Sequence, residues 1–300
     1  MTDRSILTTN EELRNRPIGV FDSGIGGLTV LREIWKALPN ESTVYFGDSG
    51  RYPYGTKSHD TIVQYSIQNM RFLLSQNVKM IVIACSSAGA HARDEIKRLA
   101  GVPVIEVISP GAEQAVHETR NGRIGIIATR ATVSSGLYRE EVLAAADRLI
   151  AAGETREELS SLLIEQVACP LFVSLAEEGY WNNPATRMIA KDYLTGLIDA
   201  GVDVLVLGCT HYPLLGEVIG EVMGPRTRLI DAGVSVARRI KKTLMESGLD
   251  RIETEPPHQR FYTSDDPAMF EQRASPFLGG GRPSGTRYMA TDQFTGGGQG

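Results

Sequence analysis

Cysteine is scarce in this chain: Cys85, Cys169 and Cys209 are the only three among 300 residues. An odd number without a CxxC pair builds neither a disulfide framework nor a zinc knuckle, and a reducing cytoplasm is the expected location. Long apolar runs are missing too. The longest, Met80 to Ala84 and Val202 to Leu207, are far too short to span a bilayer. The polar, charged opening from Met1 to Pro17 does not resemble an export signal. Dense basic stretches are also absent, and 31 Lys and Arg against 36 Asp and Glu leave a formal net charge of −5. Nucleic acid is therefore not expected as a primary partner, because phosphate binding needs a concentrated basic face. Neither a membrane nor a metal is expected.

Short β-branched runs alternate with segments of helical period. The runs are Ile18 to Phe21, Thr43 to Phe46, Met80 to Ala84, Val104 to Val107, Ile124 to Ala128, Val202 to Leu207, Leu229 to Ile230 and Phe261 to Thr263. Between them, Leu28, Leu31, Trp35 and Leu38 recur at helical spacing, as do Ile62, Tyr65, Met70 and Leu73. This rhythm predicts an α/β fold with mainly parallel sheets flanked by helices. An internal duplication is superimposed on it. Ile18-Gly19-Val20-Phe21 resembles Ile124-Gly125-Ile126-Ile127, and the strand ending in Cys85 resembles the one ending in Cys209. The offsets are 124 residues between the cysteines and 125 between the strands at Val104 and Leu229, so spacing is shared as well as pattern. Two similar lobes are implied, although a generic βα rhythm also yields loose repeats. From Gly279 to Gly300 the composition turns to Gly, Ser and Thr, predicting a flexible extension that buries little.

Cys85 and Cys209 each follow an apolar strand directly and precede small or hydroxylated residues, Ser86-Ser87-Ala88 and Thr210-His211-Tyr212. Both belong at the carboxyl edge of a parallel sheet, where ligands bind, and two thiols placed there by duplicated lobes face one cleft. Taken singly, each reads more readily as a small buried hydrophobe; the matched positions favour function. Cys169, in Val167-Ala168-Cys169-Pro170, has no polar companions and is assigned to the core. Asp22 ends the first strand and leads into Ser23-Gly24-Ile25-Gly26-Gly27-Leu28, a turn whose amides suit an anion such as a substrate carboxylate. A dinucleotide fingerprint fits poorly, since the third glycine of GxGxxG falls on Thr29. Asp22 also reads as a helix cap, which is compatible with catalysis. His211 stands two residues from Cys209 and could polarise a group there, but no second histidine or carboxylate lies at ligand spacing from it. Tyr52-Pro53-Tyr54-Gly55 reads as a tight turn whose amides and ring could line a pocket.

Together, Asp22-Ser23-Gly24, Pro53-Tyr54-Gly55, Cys85-Ser86-Ser87-Ala88, Gly208-Cys209-Thr210-His211-Tyr212-Pro213 and Thr263-Ser264-Asp265-Asp266-Pro267 resemble the ordered motifs of glutamate racemase, within the aspartate/glutamate racemase family, over roughly Pro17 to Leu278. The resemblance implies two α/β lobes related by a pseudo-twofold, with the substrate between them and neither pyridoxal phosphate nor any other cofactor. The first lobe takes residues 17–108 and 224–278, the second 109–223, with 1–16 and 279–300 as flexible extensions. Cys209 would act on L-glutamate and Cys85 on D-glutamate, with Asp22 beside Cys85, and His211 and Glu177 beside Cys209. Glu178 adjoins Glu177 and competes for that alignment. Substrate contacts would come from Asp22, Ser23, Tyr54, Gly55, Ser86, Ser87, Thr210 and His211. The product would supply bacterial peptidoglycan synthesis, and a homodimer is compatible with the family. The family usually carries Asn-Thr after its first cysteine where this chain has Ser86-Ser87, which removes an amide donor pair and bears on glutamate preference. Two other functions compete: a racemase of aspartate or another small acid, whose relatives tend to carry Glu where His211 stands, and a non-catalytic binding relative. A redox pair requires the two cysteine Cα atoms to approach within about 7 Å.

Overall fold

The strand-forming runs are apolar along their whole length, as expected of strands covered on both faces. The computed structural model describes residues 10–252 and 254–294 and arranges them as two parallel sheets. β1 (Ile18–Asp22), β2 (Thr43–Gly47), β3 (Met80–Ile83) and β4 (Val104–Glu106) belong to the first. β5 (Arg123–Ala128), β6 (Leu163–Ala168), β7 (Val204–Gly208) and β8 (Arg228–Asp231) form the second. The chain then returns to extend the first sheet with β9 (Gln259–Thr263) and β10 (Arg287–Tyr288). The first sheet runs β10-β9-β2-β1-β3-β4 and the second β6-β5-β7-β8. The core of the first sheet, β2-β1-β3-β4, thus has the same order as the second, so the duplication seen in sequence is one of topology. In register terms, Phe21 lies beside Ile83 and Ile127 beside Leu207. The strands that end at Asp22 and Cys85 are therefore neighbours, as are those that end at Ala128 and Gly208.

Helices fill the connections. Around the first sheet lie α1 (Asn10–Asn15), α2 (Leu28–Ala37), α3 (His59–Ser75), α4 (Ser86–Leu99) and α5 (Ile108–Glu118). The second carries α6 (Arg130–Ser134), α7 (Leu137–Ala151), α8 (Leu171–Glu177), α9 (Pro184–Asp199) and α10 (Gly216–Met223), and α11 (Ala232–Ser247) and α12 (Pro267–Ala274) follow. Side chains alternate across each strand, and the buried residues sort accordingly into three clusters. Ile18, Val20, Met80 and Val82 from one sheet, and Ile124, Ile126, Val204 and Val206 from the other, meet α2, α5, α7 and α11 in one continuous core. Phe21, Phe46, Ile81 and Ile83 turn outward onto α3 and α4. Ile127, Leu205 and Leu207 turn outward onto α8, α9 and α10. A helical layer shared by both lobes therefore fixes the two sheet edges relative to each other.

Three features differ from the expectations. β8 pairs with β7, so residues 224–231 complete the second sheet, and the chain crosses back to the first lobe with α11. Residues 279–294 are not a loose tail. β10 pairs with β9, Met289 packs on the outer core of the first sheet, and the Phe294 ring meets Phe72 edge-on at 5.7 Å. These few apolar residues, spread among glycines, fit the open edge that β9 presents. At the other end, Arg14 pairs with Asp250 at 2.9 Å and its carbonyl accepts a 2.6 Å hydrogen bond from Lys79 Nζ. Lys79 is fully buried and also pairs with Glu41 at 2.6 Å, so residues 10–16 are docked. The remaining parts of the expected extensions, 1–9 and 295–300, lie outside the described residues. Among the described residues no helix is long and apolar enough to cross a membrane.

Candidate active site

The two matched strand ends open onto one cavity of about 340 Å³. Its wall includes Ser23, Tyr54, Gly55, Cys85, Ser86 and Ser87 from the first lobe, and Glu177, Cys209, Thr210 and His211 from the second. All of the expected site residues except Asp22 are on that wall. Cys169 is off it, buried behind β6, with its carbonyl accepting a 2.8 Å bond from the Tyr212 hydroxyl. All three cysteines are free thiols.

Cys85 ends up at the cavity because the small residues after β3 let the chain turn straight into α4, with Cys85 as its N-cap and its carbonyl accepting from Gly89 N at 2.8 Å. Its sulfur lies 3.6 Å from Ser23 Oγ. Burial pushes this thiol up to about 12, with the Asp22 charge adding to the shift. The Ala88 and Ser23 amides and the Ser23 hydroxyl oppose it. Asp22 stands behind Cys85, fully buried, and this places it beside the thiol but not in the wall. Its Oδ1 accepts from Gly24 N at 3.0 Å, while Oδ2 has no partner. Burial raises its carboxyl above the usual range, although His211 and the Gly24 and Gly27 amides counteract this. The glycine turn, read from sequence as an anion cradle, thus directs two amides at its own aspartate.

Cys209 sits differently. Pro213 opens a short turn over Tyr212–Leu215, and α10 begins only after it, so the sulfur is not at a helix start. In its place stands His211, whose Nδ1 lies 3.8 Å from Cys209 Sγ and whose Nε2 lies 2.9 Å from Glu177 Oε1. Burial disfavours the imidazolium, but Cys209 and Glu177 outweigh it and carry His211 up to about 10. Burial would likewise raise Glu177, but His211 above all, with Tyr52 and Arg273, holds its carboxyl below the usual range. Glu178, the rival in sequence, caps α8 and is exposed, so Glu177 is the acidic neighbour.

The lobes touch closely around the cavity. A Cβ on Gly26 would come within 2.4 Å of both His211 Cε1 and Thr210 Oγ1, and Thr29 Oγ1 donates to the Thr210 carbonyl at 2.8 Å. The second glycine of the turn therefore serves to seat the opposite lobe. Gly55 does the same against Thr129, 2.8 Å from where its Cβ would lie. Ser87 Oγ reaches Thr129 Oγ1 at 2.9 Å. The Tyr54 phenol is held by Asp48 and by Asn69 Nδ2 at 3.0 Å, so its hydroxyl is already engaged within the first lobe. Ser86 is the first residue of α4 and buried, with Tyr138 behind it.

Sequence reasoning missed the wall residues Thr129, Arg130 and Ser174, and it named Tyr52 only as part of a turn, without a role. Thr129 and Arg130 follow β5 as Ser23 and Gly24 follow β1, so the repeat itself marked them. Ser174 lies one helical turn before Glu177. Tyr52 comes from the first lobe, yet its ring lies 6.1 Å from that of His211 and its phenol faces Glu177. No group of three or more metal-binding side chains occurs among the described residues.

Residues 18–240 match the Asp/Glu/Hydantoin racemase family. A glutamate racemase of Geobacter metallireducens is 44% identical over 265 residues, covering 88% of this chain and 93% of its own. The crystal structure of glutamate racemase from Francisella tularensis in complex with D-glutamate superposes with a TM-score of 0.82 at 36% identity, covering 93% of this chain and 99% of that one. An isoform of the enzyme from Bacillus anthracis gives 0.83 at 31% identity, covering 92% and 98%. Two thiols on one cavity, the duplicated sheets that place them there, and these matches agree: the chain belongs to the Asp/Glu/Hydantoin racemase family.

Proposed function

We propose that this racemase interconverts L- and D-glutamate by a two-base reaction between Cys209 and Cys85. The observation that carries the reading is the pair of free thiols contributed to one small cavity by matched strand ends of the two lobes. Inversion at Cα needs a proton removed from one face and another delivered to the opposite face. A single base would tend to return the original enantiomer. In the L-to-D direction the Cys209 thiolate takes the Cα proton and becomes a thiol; the Cys85 thiol gives its proton to the other face and becomes a thiolate. The reverse direction exchanges these roles, and solvent restores the starting protonation.

The surroundings fit such transfers. A cation next to a thiolate stabilises it, and the His211–Glu177 pair supplies one beside Cys209. Asp22, fully buried behind Cys85 with one oxygen lacking a partner, acts on that thiol and not on the substrate. Ser23, Ser87 and Thr210 supply hydroxyls and Arg130 a cation around the carboxylates. The small cavity between the lobes leaves little room for water beside a substrate, which strengthens these fixed donors as charge develops on it. The same site, in a bacterium, would serve cell-wall synthesis from D-glutamate, as the family resemblance implies.

Circular dichroism of L-glutamate and, separately, L-aspartate with purified protein and no added cofactor tests the reading. Decay of the glutamate signal to zero, lost in Cys85→Ala and Cys209→Ala, is the expected result. Decay with aspartate alone would move the activity to that substrate, and flat traces with both would overturn the racemase assignment for this chain.

A further inference from the structure

Outside the cavity, His59 at the start of α3 and His91 on α4 bring their Nδ1 atoms to 3.1 Å. His91 Nε2 lies 3.0 Å from the Ala131 carbonyl of α6. A carbonyl only accepts, so Nε2 of His91 carries the proton and its Nδ1 presents a lone pair towards His59. His91 is half-buried and His59 exposed. We propose that His59 and His91 form a two-histidine site for a late first-row divalent cation, held by the two Nδ1 atoms and completed by solvent.

The geometry fits such an ion. At nitrogen–metal distances of about 2.0–2.1 Å, a 3.1 Å separation subtends about 100° at the metal, between the octahedral and tetrahedral angles. Ligating histidines characteristically donate their other N–H to a carbonyl or carboxylate, and the Ala131 carbonyl occupies that place for His91. Imidazole donors select the later metals of the row. Spacing in sequence hides the site, since 32 residues separate the two rings. Helices α3 and α4 belong to the first lobe and Ala131 to the second, directly after the cavity residues Thr129 and Arg130. A bound ion would therefore sit beside an existing contact between the lobes, close to the cavity.

The test is isothermal titration of NiCl2 into the full-length chain, free of any histidine tag, in a non-chelating buffer, beside His59→Ala and Cys209→Ala. One Ni2+ per chain is expected in the wild type and in Cys209→Ala. His59→Ala should bind at least tenfold more weakly while racemising at the wild-type rate in EDTA, which shows that it is folded. No saturable uptake by the wild type, or equal uptake by His59→Ala, overturns the proposal. Uptake lost in Cys209→Ala alone assigns the ion to the thiol cavity and overturns it as well.

Discussion

The two lobes share a strand order and deliver a cysteine from the same strand edge, yet they surround the two sulfurs with different chemistry. Cys85 caps a 14-residue helix and is met by backbone amides, a serine hydroxyl and a like-charged aspartate. Cys209 precedes a short turn and is met by a histidine that a glutamate supports. Duplication therefore conserves the position of the thiol and leaves the means of handling its charge free to diverge. The divergence is local: it begins in the first residues past the strand, where one lobe turns straight into α4 and the other must first accommodate Pro213.

The largest break in this comparison comes from removing either sulfur. Cys85→Ala and Cys209→Ala should each lower racemisation by at least about 10³-fold, the upper part of the range for positioned acid–base groups. The survivors should differ in which face they touch. In deuterium oxide, Cys209→Ala should exchange the Cα proton of D-glutamate and Cys85→Ala that of L-glutamate, read by proton NMR; exchange of both enantiomers by either variant would break the facial assignment.

Next in size is the histidine pair. Glu177→Gln removes a charge-assisted hydrogen bond worth about 1.5–3 kcal/mol, so turnover should fall roughly 10- to 150-fold. The sign of the pH effect follows from His211, which is raised to about 10: the imidazolium is present below that pH and lost as pH rises through it. The wild-type rate should decline on an alkaline limb near that value, and Glu177→Gln should move the limb to lower pH. An unmoved limb would show that His211 does not set it.

A smaller change should come from Tyr52→Phe. It removes a neutral phenol that faces Glu177 from the opposite lobe, a loss of about 1 kcal/mol or roughly fivefold in kcat, and because the carboxylate freed of that donor holds the imidazolium more strongly, the alkaline limb should move upwards. Equal kcat and an unmoved limb would reduce Tyr52 to packing. Smallest is Ser86→Asn, which restores a carboxamide at the first residue of α4 and should lower KM for glutamate about threefold, a modest hydrogen bond's worth. An unchanged or higher KM in steady-state racemisation would remove Ser86 from substrate recognition.

Much of this was legible because the physics leaves plain marks on sequence. Strands buried on both faces must be continuously apolar, and β1, β2, β3 and β7 are. Paired thiols after two such strands, at matching offsets, marked the cavity. β6 escaped because it is an edge strand, half-exposed, reading Leu163-Ile164-Glu165-Gln166-Val167-Ala168 without an apolar run. β10 escaped for a similar reason, since two exposed residues among glycines carry no pattern. The docking of Tyr52 onto the other lobe depends on the path of a turn, which composition does not encode. The choice of Glu177 over Glu178 rested on the resemblance, because only the phase of α8 decides which of them faces His211.

The unequal dress of the two thiols has a thermodynamic limit. Enantiomers have the same free energy in water, so the equilibrium between them lies at equal amounts and detailed balance makes kcat/KM identical in the two directions, for the wild type and for every variant. Whatever the His211–Glu177 pair does for Cys209 must therefore be shared by the return reaction through Cys85. Asymmetry can surface only in how that common ratio divides between kcat and KM, so under the two-thiol proposal the histidine would set the concentration at which each enantiomer saturates the enzyme and never which of them it ultimately makes.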